Sequence, residues 1–469
     1  VRSFINKINI YSLIVINETL KRGNKMEEIF KAYDIRGVYP EEINETIMEK
    51  IGFAYASYLN KKNIVIGHDM RNSSPALSKA FSDGVRAFGS DVFDIGLSTT
   101  PMLYSAIIDG NYDGGAMITA SHLEGQFNGV KLCRQKAIPL SGVDGLPEIK
   151  TIYTKTQNTP ANKTGNIKQV DFLNRYLEKV SEFIKPVKPL KIVVDAGNGM
   201  GGLDTPKLIE KFPNCQFIPM YMNLDGNFPH HTPNPVIPEN TAELQKKVIE
   251  EKADLGFAFD GDADRCGFVD ENGERVPADL IIPILSEYFL KYNPGATILY
   301  DLRSSKIVPE RITELGGIPI ITRVGHSFIK EKMREVNAIF AGELSGHYYY
   351  AEMGFIDSGI LSMITMLNLL TINPFPLSKL VKELNKYARL DETNFHVKNT
   401  KQLFAELQKT YHDAKIEHID GLSVNYNDWW FNLRESNTEP VVRLVMGAAN
   451  NTMLEKEKTA LLNIINKYQ

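Results

Sequence analysis

Short apolar runs alternate with amphipathic stretches along most of the chain, which is the pattern of an α/β protein. From Met26 the spacing predicts a helix over Glu42 to Leu59, a strand over Asn63 to Gly67, a helix over Pro75 to Phe88 and a strand over Asp91 to Gly96. Gly114 to Thr119 reads as a further strand running directly into Ala120-Ser121-His122. An Asn/Thr/Lys-rich stretch at 156 to 168 marks a linker or exposed loop. A second set follows, with a strand at Lys191 to Asp195, a turn at Ala196 to Gly199 and a strand at Asp254 to Phe259. A third set is expected to begin with a hairpin over Cys266 to Val276, turning at Glu271-Asn272-Gly273. It continues through helix Ala278 to Tyr292, strand Thr297 to Asp301, helix Ser305 to Leu315, strand Ile318 to Thr322, helix Ser327 to Val336 and strand Ala338 to Ala341. After Tyr387 the pattern changes to strand-like runs at Gly421 to Tyr426 and Val441 to Met446, closed by an amphipathic helix over Thr452 to Tyr468.

The expected fold is therefore three similar α/β domains and a smaller C-terminal α+β domain, with units at 26–165, 166–270, 271–388 and 389–469. No residue-level repeat is legible among the three. An apolar patch from Ile8 to Ile16 follows Arg2 and Lys7, but Asn9 and Ser12 interrupt it, no small-x-small cleavage site follows, and it is too short to span a bilayer. Residues 1–25 are expected to be an extension outside a fold that starts at Met26.

At 469 residues the chain has material for about three domains. Apolar and charged fractions of 43% and 23% place it among ordinary globular proteins. With 53 basic and 57 acidic residues, the net charge of −4 gives no electrostatic reason to expect nucleic acid or an anionic membrane as partner. Cys133, Cys215 and Cys266 are odd in number and lack CxxC spacing, which fits a reducing cytoplasm better than a disulfide framework.

Four polar loops carry candidate chemistry. Phe259-Asp260-Gly261-Asp262-Ala263-Asp264-Arg265 leaves an apolar strand with carboxylates at alternate positions, a donor set suited to Mg²⁺, which takes hard oxygen ligands at roughly 2.0–2.1 Å. A calcium loop of the EF-hand type is the rival, with Glu271 at the closing position. It fails at the sixth residue, where the sharp turn needs Gly and the chain has Arg265. In Thr119 to Lys131, Ser121 beside His122, with Lys131 returning from an Asn-Gly turn, offers a nucleophile with an acid/base partner, or only a turn. Gly342-Glu343-Leu344-Ser345-Gly346-His347 can bond sugar hydroxyls or simply end a strand. Arg434-Glu435-Ser436-Asn437-Thr438-Glu439-Pro440, with Arg443 beyond, offers a guanidinium fork, hydroxyls and backbone donors, a plausible phosphate cradle whose ordinary alternative is a capping turn.

These loops in this order, preceded by Ala32-Tyr33-Asp34-Ile35-Arg36-Gly37, resemble the α-D-phosphohexomutase family over nearly the whole chain from Met26, most closely its phosphomannomutase/phosphoglucomutase branch. The resemblance implies four domains around a central cleft, each contributing one loop. It also implies a phosphoserine enzyme that passes phosphate between O1 and O6 of mannose or glucose through a hexose 1,6-bisphosphate. Ser121 would be the phosphoserine, and Asp260, Asp262 and Asp264 would bind Mg²⁺ together with a phosphoserine oxygen. Lys131 and His122 match the acid/base and positioning residues, and Arg36 and Arg265 those that stabilise the transferring group. Tyr33, Arg303, His326, Glu343, Ser345 and His347 would contact substrate. Arg434, Ser436, Asn437, Thr438 and Arg443 would grip the non-reacting phosphate, on a domain expected to be mobile because two poses share that cradle. Positive charge from Arg36 and Arg265 and partial burial are expected to lower the Lys131 pKa into the range a proton shuttle needs.

The implied partners are small hexose phosphates, with no nucleic acid or membrane, and the implied enzyme is a cytoplasmic monomer or weak dimer. The chain departs from the family pattern at Leu123-Glu124, where relatives commonly carry Asn-Pro, and at Arg303, where many carry Lys. Leu344 and Asn437 argue against the phosphoglucosamine mutase branch. A metal-dependent sugar phosphohydrolase and a non-catalytic sugar-phosphate-binding protein remain alternatives.

Overall fold

The computed structural model describes residues 29–60, 62–155, 163–436 and 441–469. The expected extension 1–25 and the loop residues Asn437 and Thr438 lie outside the described residues. Four sheets follow one another along the chain. In the first, Asp91–Leu97, Asn63–His68 and Gly114–Ile118 run parallel, and Phe127–Arg134 returns antiparallel beside the last of them. The second repeats this order with Gln216–Met220, Lys191–Asp195, Leu255–Phe259 and an antiparallel Cys266–Asp270. The third does so again with Ile318–Thr322, Thr297–Asp301, Phe340–Gly342 and an antiparallel Tyr348–Tyr350. The fourth sheet is antiparallel throughout, ordered Ala388–Phe395, Val442–Ala448, Trp429–Glu435, Leu422–Asn425 and Lys415–Glu417.

The hairpin that the sequence pattern assigns to the start of the third unit instead closes the second sheet, with Phe259 paired to Cys266 and Leu255 to Asp270. The six-residue acid loop is a tight reversal, so the strand leaving it pairs back onto the strand entering it. The short strand Ile167–Gln169 adds to the edge of the first sheet beside Asp91–Leu97.

The repeat extends to single residues. In each unit an aspartate at the end of the first parallel strand, or just past it, accepts the backbone N–H two residues on: Asp69 from Arg71 at 3.0 Å, Asp195 from Gly197 at 2.8 Å and Asp301 from Arg303 at 2.8 Å. The second carboxylate oxygen of each holds a basic side chain: Arg71 Nε at 3.1 Å, His231 Nε2 at 2.9 Å and Arg303 Nη2 at 2.8 Å.

One apolar core runs through all three α/β units, from Val65 and Met102 in the first through Phe257 in the second to Phe340 and Leu384 in the third. Its centre is the helix Gly359–Ile372, nearly every residue of which is buried. The fourth unit has a core of its own, built from Leu403, Phe431, Leu444 and Leu461 among others. Its contacts with the third unit include Lys306 Nζ donating to Asn427 O at 3.0 Å, Val324 N–H donating to Asp420 at 3.3 Å and Tyr387 edge-on to Trp430. Among the described residues no single helix is long and apolar enough to cross a membrane.

Candidate active site

In each α/β unit the connection from the third parallel strand to its antiparallel neighbour is a polar loop, and the three are 119–126, 260–265 and 343–347. They meet at the carboxyl ends of the parallel strands, where ligands bind in open α/β sheets. Gly261 lets the first two touch: a Cβ there would lie 2.2 Å from Ser121 O. An isolated bridge joins Arg265 to His347, and Cys266 N–H donates to Gly346 O at 3.0 Å, which locks the second loop to the third.

Ser121 is buried and holds a φ of 53°, a left-handed conformation that a serine adopts only when its surroundings enforce it. Its N–H donates to Thr119 Oγ1 at 2.9 Å. Its Oγ donates to Asp260 Oδ2 at 2.9 Å and lies 3.2 Å from His122 Nδ1. Arg71 holds the rest of the loop: fully buried, it donates to the carbonyls of Ser121 at 2.8 Å, Leu123 at 2.6 Å, Glu124 at 2.6 Å and Phe127 at 3.0 Å.

Asp260, Asp262 and Asp264 are buried, with one oxygen from each inside a 4.8 Å group. Lys131 Nζ donates to Asp262 Oδ2 at 2.6 Å and Asp264 Oδ2 at 2.5 Å. Thr100, in the first turn of helix Thr100–Asp109, donates its hydroxyl to Asp262 Oδ2 at 2.6 Å and its N–H to Asp262 O at 3.0 Å. The positive end of that helix thus faces the acid loop. Asp262 Oδ1 is buried with no hydrogen-bond partner. An orphaned anionic oxygen among three carboxylates is the donor set of a hard divalent cation, so the residues fit a metal site.

Burial, together with Asp264 and Asp262, pushes the Asp260 carboxyl well above the usual range. Lys131 departs from the sequence expectation. Burial pulls its amine down, but Asp262 and Asp264 outweigh burial and raise it above an ordinary lysine. The arginines that motivated the opposite sign are present, yet two carboxylates in direct contact dominate. Burial, then Arg265 and Arg36, hold His122 well below the usual imidazole range, whereas Asp264 and Glu343 overcome burial and raise His347 to about 9.

The loops enclose a cleft of about 500 Å³. It is lined by Tyr33, Arg36, Ser121, His122 and Lys131 from the first unit and Arg265 from the second. Arg303, His326, Glu343, Ser345 and His347 line it from the third unit, and Arg434 and Arg443 from the fourth. Arg36 is paired with Asp34 at 2.6 Å. Tyr33 donates its hydroxyl to Val324 O at 3.1 Å, stitching the first unit to the third. Glu343 accepts from Tyr349 at 2.9 Å and Arg303 at 3.2 Å, and Ser345 Oγ lies 2.8 Å from His347 Nδ1. Ser436 follows strand Trp429–Glu435 and is half-buried, outside the residues that line the cleft. Sequence reasoning missed Arg71, Thr100 and Glu392, whose carboxylate meets Arg434 at 2.8 Å and Arg443 at 3.4 Å. A signal existed for Arg71, since His68-Asp69-Met70-Arg71-Asn72 is a polar strand end like Asp301-Leu302-Arg303.

Models of the phosphoglucomutase/phosphomannomutase family match four successive segments: α/β/α domain I at 27–160, domain II at 174–273, domain III at 277–387 and the C-terminal domain at 392–463. A phosphomannomutase of Vibrio cholerae is 38% identical over 444 residues, covering 92% of this chain and 96% of that one. One from Methanocaldococcus jannaschii is 38% identical over 445 residues, covering 94% and 98%. Among solved structures, a phosphoglucomutase/phosphomannomutase family protein from Burkholderia thailandensis superposes with a TM-score of 0.87 at 32% identity, covering 94% of this chain and 97% of that one.

Proposed function

We infer the reaction from one premise: the chain belongs to the phosphoglucomutase/phosphomannomutase family. It is an enzyme, a phosphosugar mutase acting on hexose phosphates. The finer reading is reversible transfer of phosphate between O1 and O6 of mannose or glucose, through a phosphoserine at Ser121 and a hexose 1,6-bisphosphate. The observation that carries it is the placement of Ser121 Oγ, which lies 2.9 Å from Asp260 and faces a cleft lined by arginines from all four units.

In this reading the bond from Ser121 Oγ to phosphorus breaks as the sugar hydroxyl oxygen bonds to phosphorus, and the hydroxyl proton leaves to Lys131, which can take it only as the neutral amine, after the proton that Asp262 and Asp264 stabilise there has been lost. Charge spreads over the equatorial phosphoryl oxygens, where Arg36 and Arg265 stabilise it. Mg²⁺ held by Asp260, Asp262 and Asp264 would add positive charge there and, by offsetting the carboxylates that keep Lys131 protonated, would favour its neutral form. Glu343 and Ser345 would orient the sugar hydroxyls, with His326 and His347 beside them. Arg434, Ser436, Asn437, Thr438 and Arg443 would hold the distal phosphate in both poses. The separate core of the fourth unit supports its moving between them. Free cysteines at 133, 215 and 266 support a cytoplasmic setting.

Parallel coupled assays with mannose 1-phosphate, glucose 1-phosphate and glucosamine 1-phosphate test the substrate, and release of inorganic phosphate in place of isomerised product would indicate a phosphohydrolase. Intact-mass measurement tests the intermediate. Purified protein should carry one phosphate that Ser121→Ala removes, along with isomerisation; persistent absence of phosphate from the wild type overturns the phosphoserine.

A further inference from the structure

Glu392 is a charged group beside the cleft arginines that the proposed reaction leaves without a role. It sits at an irregularity of strand Ala388–Phe395, where the register against Val442–Ala448 shifts between Leu390 and Thr393. The bulge turns its carboxylate toward three guanidiniums from two units. Oε2 accepts from Arg434 Nη2 at 2.8 Å and lies 3.6 Å from Arg303 Nη1, and Oε1 accepts from Arg443 Nη1 at 3.4 Å. Arg434 and Arg443 face each other across neighbouring strands. Glu392 and Arg303 both border a second cavity of about 900 Å³ lined by residues of the second, third and fourth units, whereas Arg434 and Arg443 border the catalytic cleft, so the carboxylate reaches those two from the side of the second cavity.

We propose that Glu392 is an internal stand-in for the substrate's distal phosphate, neutralising the arginine cradle when that phosphate is absent and giving way when it arrives. This rests on the reading of Arg434 and Arg443 as the phosphate grip. A carboxylate offers the guanidinium forks two oxygens and one charge, whereas a phosphate monoester offers three oxygens and nearly two charges. The phosphate therefore wins the exchange, but against a competitor tethered beside the cradle. Burial opposes the Glu392 charge, yet Arg303 and Arg434 hold its carboxyl below the usual range, so it stays anionic through neutral pH.

The exchange also has a mechanical side. Arg303 is anchored by Asp301 in the third unit, and its 3.6 Å contact with Glu392 is one of the polar links to the fourth. Phosphate entering the cradle would loosen that link at the moment when the fourth unit has to settle on the substrate. Phosphate departing would restore it. A bisphosphate that has to let go with one end and rebind with the other is helped by a cradle that does not remain as bare positive charge in between.

The test is equilibrium titration of wild type, Glu392→Gln and Glu392→Asp with inorganic phosphate and with glucose 1-phosphate, followed by calorimetry. Glu392→Gln should bind both anions roughly tenfold more tightly, because the competing charge is gone while the arginines remain. Glu392→Asp, shorter by one methylene, should fall between. In an Arg434→Ala background the Gln substitution should lose its effect. Equal or weaker phosphate binding by Glu392→Gln overturns the stand-in and leaves Glu392 as a residue that merely orders the arginines. Wild-type turnover, measured separately, reports on the mutase reading, so the two can fail independently.

Discussion

Replacing Arg71 should damage the enzyme in two separable ways. Its guanidinium is buried, paired with Asp69, and donates to four carbonyls of the serine loop between residues 121 and 127. Arg71→Met keeps much of the volume but removes every donor. It also strands the Asp69 carboxylate, which keeps only Ser74 Oγ and a backbone N–H. Removing one partner of a buried ion pair costs about 3–5 kcal/mol. The orphaned carbonyls belong to the same network, and their share, about 1 kcal/mol each where water cannot replace the donor, overlaps that figure and does not simply add. Urea unfolding should therefore show a loss of about 3–5 kcal/mol. Where the variant is still folded, kcat should fall on the order of a hundredfold, since a shift of about 1 Å in Ser121 Oγ is enough for that. Arg71→Lys should restore little, because a single ammonium cannot reach four carbonyls spread over seven residues. Wild-type unfolding and kcat in Arg71→Met would refute the claim that this side chain positions the nucleophile.

The acid loop makes a metal prediction. Added Mg²⁺ should raise the melting temperature of the wild type by mass action, a shift that Asp262→Asn should largely abolish together with Mg²⁺-dependent turnover. An unchanged thermal response in Asp262→Asn would count against the site. Asp204 makes a pH prediction: burial, opposed by a hydrogen bond with Thr99, pushes its carboxyl up to about 7 from 3.8 unfolded. The folded state then holds a proton that the unfolded chain has released, so stability is greatest below about pH 4, falls as pH rises toward 7 and levels off above. The difference between the two states amounts to about 4 kcal/mol. Asp204→Asn should flatten that slope in urea unfolding between about pH 4 and pH 7, and a slope equal to wild type would rule Asp204 out as its source.

Much of the fold is legible because the strands are short apolar runs bounded by turn residues. Lys191–Asp195, Thr297–Asp301, Ile318–Thr322 and the helix Ala278–Tyr292 lie where the pattern puts them. The helix over Glu42 to Leu59 begins instead at Glu45, because the Asn44 side chain accepts from Ile47 N–H and caps it. The family resemblance is legible because the loops are local motifs. What escapes the sequence depends on distant partners. Arg71 matters through carbonyls about fifty residues away, and Glu392 through a bulge that only the sheet register defines. The sign of the Lys131 shift turns on whether arginines or aspartates sit closer, which spacing along the chain does not encode. The repeated strand-end aspartates are only partly legible: Asp69 and Asp301 share an Asp-x-Arg spacing, whereas the basic partner of Asp195 is His231, 36 residues on.

The three-fold use of one strand order makes the catalytic half open to piecewise redesign. The loops 119–126, 260–265 and 343–347 occupy the same topological position in three copies of one scaffold, so each can be rebuilt on its own sheet wherever its contacts with the other two are kept. Exchanging residues 343–347 would leave Ser121 and the three aspartates on their own sheets, provided that the Gly346 carbonyl and His347, which hold Cys266, Arg265 and Asp264, are kept. One continuous core would keep all three loops in register while one of them is rebuilt.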